Sequence, residues 1–197
     1  MYLDYEKKVL FQCAPRCGSR SVRDVLLGLG FVEGEKPHSH HSSLLSTPGS
    51  LYTGFGARTF DKHIRHGGWT VFTVVRNHYD RLASHYRLNH TTHPSTNPDL
   101  DKIIRKLIKQ GRQVAGAQVG FYYLSWTLHA TRVLRYENLE QELNDLLLDL
   151  GYEGFEIPHV GKSEASRFDY RDYFSEETKA LVEKEYGFEL KKLGYEW

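Results

Sequence analysis

Short apolar runs alternate along this chain with longer segments in which apolar residues recur at helical spacing. The run Thr70–Val75 is rich in β-branched residues and apolar on both faces, which is typical of a strand in a covered parallel sheet. Residues 9–13 and Arg132–Arg135 are interpreted as two shorter strands. Short strands that alternate with helices predict an α/β fold, in which helices pack on a central parallel sheet.

Six segments carry helical signals, and their ends are set by glycines and capping residues. Ser19 or Ser21 is expected to cap the first helix, and Asn97, followed by Pro98, to open the third. The predicted helices cover residues 19–29, 78–89, 98–110, 114–127, 139–150 and 175–186. Residues 33–68 are rich in Gly, His, Ser and Thr, and we interpret them as a long loop with one short helical piece.

Composition narrows the classes of function that need to be considered. The length of 197 residues suits one domain, so we expect a single domain over residues 1–197. A net charge of +1 does not indicate a nucleic-acid binder. The sequence has no apolar run near about 18 residues and no apolar N-terminal signal segment, so we expect a cytoplasmic protein without a membrane span. Its oligomeric state is left open.

The two cysteines, Cys13 and Cys17, flank a predicted turn. A cytoplasmic chain keeps its thiols reduced, so we do not expect a disulfide between them. Two thiols are too few ligands for a zinc site, and the cluster His38, His40 and His41 lacks partners at the usual spacing. We therefore predict no metal.

Residues 9–27 predict an anion site. A strand enters a turn that contains Gly18 and leads directly into an amphipathic helix. The first N–H groups of a helix have no intrahelical acceptor, and the helix dipole favours negative charge near them. Arg16 and Arg20 add positive charge, so a phosphate or sulfate ligand is the first hypothesis.

A second anion-binding segment follows the strand at residues 70–75. Arg76 stands directly after this strand, and Ser84 lies about two helical turns later. Ligands of open α/β sheets bind beyond the carboxyl ends of strands, so Arg16 and Arg76 are expected at one crevice. Two anion sites suit a ligand with two phosphate groups. The alternative is that Arg76 forms a structural ion pair with Asp80 or Glu137.

These segments resemble the sulfotransferases that use 3′-phosphoadenosine 5′-phosphosulfate. Residues 15–19, Pro-Arg-Cys-Gly-Ser, are similar to the 5′-phosphosulfate loop P-K-x-G-[ST]-[ST]. Residues 75–84 resemble the 3′-phosphate motif V-R-N-P-Y-D-R-L-x-S. Residues 134–139 and the tail from residue 158 are similar to later segments of that family, in the same order. The resemblance is greatest to the branch that sulfates carbohydrates and to its compact bacterial members.

The resemblance implies a three-layer α/β fold, with a central parallel sheet flanked by helices and P-loop nucleotide-kinase-like topology. It implies transfer of a sulfuryl group to a hydroxyl acceptor, a carbohydrate or related small molecule, with the desulfated nucleotide as product and no metal. The residues it places at the donor are Pro15, Arg16, Cys17, Gly18, Ser19, Arg20, Ser21, Arg76, Ser84, Tyr136, Lys162 and Ser163.

Three positions depart from the family pattern. Arg16 replaces the usual lysine, Arg20 replaces a hydroxyl residue, and His78 replaces a proline. Sulfuryl transfer depends mainly on positioning and charge stabilisation, and Arg16 is expected to stabilise the leaving 5′-phosphate. The acceptor hydroxyl also needs a general base that titrates near neutral pH, for which we predict His41, with His40 second.

Two other functions remain open at this stage. A P-loop kinase or nucleotide hydrolase would carry the pattern G-x-x-x-x-G-K-[ST] and a carboxylate for magnesium after Val75, and the sequence has neither. The other is a nucleotide-binding module that keeps the fold and has weak catalysis or none.

Overall fold

The computed structural model describes residues 1–33, 67–88, 90, 93–110, 118, 123–124, 127–128, 130–157 and 168–197. The chain groups into two compact units. The first comprises Met1–Val75 and Gln118–Val160, and the second comprises Arg76–Ala117 and Gly161–Trp197. A single domain over residues 1–197 stays a prediction.

The first unit contains all seven described strands. They are β1 (Tyr2–Asp4), β2 (Val9–Gln12), β3 (Val32–Glu33), β4 (Thr70–Val75), β5 (Tyr123–Leu124), β6 (Thr127–Leu128) and β7 (Arg132–Arg135). Five of them form one sheet in the order β3-β1-β2-β4-β7, while β5 and β6 form an antiparallel pair. The three strands predicted from sequence lie side by side in parallel, with β4 between β2 and β7.

The prediction of an α/β fold is confirmed. The prediction of a parallel sheet is only partly correct, because the five-stranded sheet is mixed. The strand β1 was not predicted, and it runs antiparallel to both β2 and β3. A tight turn makes this hairpin possible, because the Asp4 carboxylate accepts the backbone N–H groups of Glu6 and Lys7, each at 2.9 Å. A strand of three residues is too short to show a periodic pattern in the sequence, and it is stabilised by pairing with its neighbours.

Five α-helices are described: α1 (Ser19–Gly28), α2 (His78–Tyr86), α3 (Leu100–Gln110), α4 (Leu139–Asp149) and α5 (Glu176–Leu193). Short 3-10 helices cover Pro94–Thr96, Tyr136–Asn138 and Tyr170–Tyr173. The third helix begins at Leu100, two residues later than predicted, and Asn97 instead caps the turn before it, since its side chain accepts the N–H of Asp99 at 2.9 Å. The last helix continues beyond the predicted end and stops at Gly194, whose φ is 66°. None of the described helices combines the length and apolar composition that a membrane crossing needs.

The predicted helix over residues 114–127 is wrong at its C-terminal end. Residues 123–124 and 127–128 are extended, with Leu124 opposite Thr127. Tyrosine and threonine favour strands, and this local preference outweighs the weak helical spacing of the segment.

The core of the first unit lies between the sheet and the helices α1 and α4. Alternate residues of the parallel strands point towards this layer, and Phe11 stacks on Phe72 with ring centroids 4.8 Å apart. The helices contribute Val22, Val25, Leu26, Leu139, Leu143, Leu146 and Leu147. The helices α1 and α4, which follow the parallel strands β2 and β7, are thereby fixed on the sheet.

The second unit has its own apolar core among α2, α3 and α5. One face of α3 contributes Ile104 and Ile108, which are buried in this core. Tyr79 and Tyr86 from α2 and Val182 and Tyr186 from α5 share the same cluster. This packing fixes α2, the helix that begins two residues after Arg76.

Candidate functional site

The predicted anion-binding loop, residues 15–21, comprises the end of the connection from β2 to α1 and the first residues of α1. Pro15, Cys17 and Ser19 are buried, Arg16, Gly18 and Ser21 are partly exposed, and Arg20 is exposed. The loop thus presents alternate residues outwards at the N-terminus of α1. This exposure suits a site that a ligand reaches from solvent.

The sign of φ alternates along this loop. Arg16 has a φ of 64°, Cys17 a negative φ, and Gly18 a φ of 76°, after which Ser19 is helical. Alternation between left-handed and right-handed residues turns successive backbone N–H groups towards one side and forms an anion-binding concavity. A left-handed non-glycine residue costs about 1–2 kcal/mol, so surrounding contacts must hold Arg16 in this conformation.

Packing against Gly18 holds the loop in place. A Cβ atom at Gly18 would lie 2.7 Å from Cδ2 of Leu139 and 3.1 Å from Cδ2 of Tyr136. The hydroxyl of Ser19 also donates to the Ala14 carbonyl oxygen at 2.7 Å. The structure therefore brings Tyr136, which the family resemblance assigns to the nucleotide, into contact range of the loop.

The two cysteines that flank the turn are buried beside the loop. Cys17 Sγ donates to Oε1 of Gln118 at 3.3 Å and to the Pro15 carbonyl oxygen at 3.5 Å. Cys13 is a buried thiol, and burial raises its pKa to about 11. It is therefore neutral at neutral pH and adds no negative charge beside the loop.

No side chain of the described residues caps α1, and its first turn contains no acidic residue. The prediction that Ser19 or Ser21 caps this helix is wrong, because Gly18 occupies the N-cap position. By contrast, Asn77 caps α2 and Ser175 caps α5 through their side chains. The N-terminus of α1 thus keeps the features that attract an anion, namely the exposed end of the helix dipole and a turn without competing carboxylates.

In the second unit, Arg76 forms the ion pair with Asp80 that the sequence left open. Arg76 Nε and Nη2 both donate to Asp80 Oδ2, each at 2.7 Å. The Arg76 side chain is only 7% exposed. A guanidinium group has five N–H donors, and this contact uses its Nε–Nη2 edge, so the ion pair fixes the orientation of the group.

Ser84 lies on α2 and is buried. Asn77 links the start of this helix to the C-terminal tail, since its Oδ1 accepts the Tyr79 N–H and its Nδ2 donates to the Glu196 carbonyl oxygen, both at 3.0 Å. The helix that positions Ser84 is therefore anchored at its first turn.

His78, which stands at the family's proline position, is a buried structural residue. Its Nε2 hydrogen-bonds to Glu189, and its ring stacks on Tyr186 with centroids 4.3 Å apart. Burial holds the pKa of His78 below its ordinary value, an effect that Arg81 reinforces and the Glu189 hydrogen bond opposes. The imidazole is thus neutral at neutral pH.

Four predicted site residues, His40, His41, Lys162 and Ser163, lie outside the described residues. The loop residues and Tyr136 belong to the first unit, and Arg76 and Ser84 to the second. Across the described ranges, no group of three or more His, Cys, Asp or Glu side chains is placed to hold a metal ion.

One supporting contact was missed from sequence. Gln118 carried no signal, because its bond to Cys17 joins distant parts of the chain. The pair of Arg76 and Asp80 was considered as an alternative, and its spacing of four residues is that of helical ion pairs.

No protein-family model matches this sequence, and a search of curated proteins finds no match. What the protein does is therefore inferred from its own residues and their geometry.

Because of the close contact at Gly18, a single added methyl group is expected to lower the free energy of unfolding substantially. In Gly18→Ala, the left-handed strain of about 1–2 kcal/mol adds to an overpacking cost of about 1–3 kcal/mol, because the new Cβ displaces the buried Leu139. Gly30→Ala is the matched control, since Gly30 has a φ of 87° and a Cβ added there would meet nothing within 4 Å. Urea unfolding measures the free energy of unfolding of both variants. Equal losses of stability in Gly18→Ala and Gly30→Ala would contradict the packing role of Gly18.

The buried His78 predicts a pH dependence of stability. In the unfolded chain His78 binds a proton near its ordinary pKa of about 6.5, whereas the folded protein binds it only at lower pH. The unfolded state then holds more protons, so the free energy of unfolding falls as the pH drops below about 6.5. His78→Gln keeps a donor for Glu189 but cannot titrate, and we expect a smaller fall between about pH 7 and pH 5. Identical pH profiles for the variant and the wild type would show that His78 makes no such contribution.

Proposed function

We propose that this protein is a sulfotransferase that moves a sulfuryl group from 3′-phosphoadenosine 5′-phosphosulfate to a hydroxyl acceptor, a carbohydrate or a related small molecule. The observation that carries the proposal is the loop before α1, where φ alternates in sign and Gly18 opens a helix without a side-chain cap. The proposal includes a P-loop nucleotide-kinase-like sulfotransferase fold. The parallel strands β2, β4 and β7, with α1 directly after β2, support it.

The loop is assigned to the 5′-phosphosulfate of the donor. Backbone N–H groups from residues 15–21 would bind its oxygens, with the Ser19 and Ser21 hydroxyls nearby. Arg16 and Arg20 would supply positive charge. An arginine here remains protonated and offers several donors in one plane, whereas the family's lysine is a compact point charge.

Arg76 and Ser84 are assigned to the 3′-phosphate. A guanidinium group matches the geometry of phosphate through paired N–H donors. The ion pair with Asp80 supports this role, because it holds the Arg76 group in one orientation. Preorganised donors lose less conformational entropy when the ligand binds.

Tyr136 is assigned to the adenine side of the donor. Its ring is partly exposed and lies beside Gly18, so an aromatic side chain stands near the loop that would hold the 5′ end. Nucleotide bases stack on such rings. Lys162 and Ser163 complete the proposed nucleotide contacts.

The transfer itself needs few groups. The acceptor oxygen attacks sulfur, the new oxygen–sulfur bond forms, and the bond from sulfur to the bridging oxygen of the 5′-phosphate breaks. The electron pair of that bond stays on the leaving nucleotide, where Arg16 stabilises the charge. The acceptor proton passes to a general base, for which His41 is proposed, with His40 as the second candidate.

Titration calorimetry distinguishes this function from a P-loop kinase or hydrolase. We expect tighter binding of 3′-phosphoadenosine 5′-phosphate than of ATP with magnesium, because the proposed site binds a 3′-phosphate and needs no metal. Tighter, magnesium-dependent binding of ATP would overturn the proposal.

The same experiment tests the loop. Arg16→Ala is expected to weaken nucleotide binding about tenfold or more, the loss of one charge-assisted hydrogen bond. Arg23→Ala is the control, because it removes the same charge from an exposed α1 residue that pairs with Asp24. Equal effects in the two variants would indicate general electrostatics rather than a specific loop contact.

Sulfuryl transfer at saturating donor tests the proposed base and separates an enzyme from a binding module. His41→Ala is expected to lower turnover about 10²–10⁴-fold while nucleotide affinity is kept. If both His41→Ala and His40→Ala keep turnover near wild type, a base in this cluster is excluded. A wild-type protein that binds donor and transfers nothing to a panel of hydroxyl acceptors would instead be a binding module.

A further inference from the structure

One carboxylate in the second unit serves two arginines. Asp80 Oδ2 accepts both Nε and Nη2 of Arg76, and Asp80 Oδ1 lies 3.6 Å from Nη2 of Arg87. Both arginine side chains are 7% exposed, and Asp80 is 20% exposed. Solvent screens such partly buried charges less than charges at an open surface, so this cluster is electrostatically strong.

Arg87 is also fixed from its other side. Its Nε donates to the hydroxyl of Tyr173 at 3.1 Å, and its Cζ lies 5.0 Å from the centre of the same ring. Tyr173 is buried and packs edge-on against Tyr86, with centroids 5.4 Å apart. The position of Arg87 is therefore set by an aromatic contact as well as by Asp80.

Helix geometry places the proposed phosphate ligand Ser84 on this face. Asp80, Ser84 and Arg87 are spaced by four and three residues, and Arg87 still has helical dihedral angles, φ −61° and ψ −16°. Residues at this spacing lie on the same side of a helix. Arg76 folds back onto that side through its bond to Asp80.

We propose that Arg87 is a second phosphate-binding guanidinium of the 3′-phosphate subsite, and that Asp80 is the positioning residue that orients Arg76 and Arg87 together. This inference rests on the proposed function, which supplies the 3′-phosphate. Asp80 engages each arginine through a different oxygen, so one carboxylate sets the separation of two donor groups. Bidentate recognition of phosphate depends on such fixed spacing.

Substitution of Asp80 has two opposing effects on a phosphate ligand. Loss of a negative charge favours an anion, while loss of the bridging carboxylate lets two like-charged guanidinium groups move apart. The second effect prevails for a ligand that must contact both groups at once, because misplaced donors lose hydrogen bonds whose strength depends on geometry. The ratio of the affinities for a nucleotide with and without a 3′-phosphate therefore tests the role of Asp80.

The experiment compares the affinities of the full chain for 3′-phosphoadenosine 5′-phosphate and for 5′-AMP, which differ only in the 3′-phosphate. The wild type is expected to prefer the former. Arg87→Gln and Asp80→Asn should each lower this preference about tenfold, with the affinity for 5′-AMP unchanged. Asp80→Glu, which restores a carboxylate, should recover part of the preference, a rescue that a purely structural role does not predict.

Arg105→Gln is the matched control in the same unit. Arg105 pairs with Asp101 at 3.7 Å and with Glu177 on an exposed surface, so its loss should leave the preference unchanged. Thermal unfolding checks each variant. If Arg87→Gln does not fold, Arg87→Lys replaces it and should lower the preference by a smaller factor, because it keeps the charge and loses the planar donors.

The outcomes separate the two proposals. A wild type without preference for the 3′-phosphate overturns the proposed function and this inference with it. A wild type that has the preference, together with folded Arg87 and Asp80 variants that keep it in full, overturns the inference alone.

Discussion

The space beside Gly18 is too small for a methyl group, and the architecture of the first unit depends on that close contact. The left-handed backbone of Gly18 lets the chain turn from β2 into α1, and Leu139 and Tyr136 fill the space where a side chain would lie. Tyr136 lies in the connection from β7 to α4, and Leu139 is the first residue of α4. Two strand-to-helix connections are thereby packed against each other, which keeps Arg16 in a conformation that it would not adopt alone.

The two units position charge by different means. In the first, the relevant features belong to the backbone, namely the N-terminus of α1 with Gly18 at its N-cap and a loop in which φ alternates in sign. In the second, a carboxylate fixes guanidinium groups, because Asp80 contacts both Arg76 and Arg87. An ion pair that looks structural from sequence can also preorganise a binding group, so the structural and functional interpretations of Arg76 are compatible. Asp80 lies on α2, and the buried pair of His78 and Glu189 anchors this helix to α5.

Local patterns predicted most of the regular structure. The β-branched run at Thr70–Val75 and the helical spacing before Gly111 depend on nearby residues alone, and the strand β4 and the helix α3 were both predicted there. The strand β1 was missed because it is stabilised by pairing with β2, and the segment around residues 123–128 was misjudged because weak periodicity does not separate helix from strand. The positive φ of Arg16 follows from tertiary packing, which the residue type does not indicate. For the site, the loop and Arg76 stand out as motifs. Gln118 emerges only once distant parts of the chain are brought together, and Arg87 only once the helix α2 places it beside Asp80.

We propose that backbone N–H groups of the loop before α1 bind the 5′ end of a bisphosphate nucleotide. Amide NMR spectra recorded during titration with 3′-phosphoadenosine 5′-phosphate test it most directly, because each N–H group reports separately. We predict the largest shifts at the amides of Cys17, Gly18 and Ser19, with much smaller shifts when adenosine replaces the nucleotide. Saturating nucleotide binding that leaves these three amides unchanged would contradict the account.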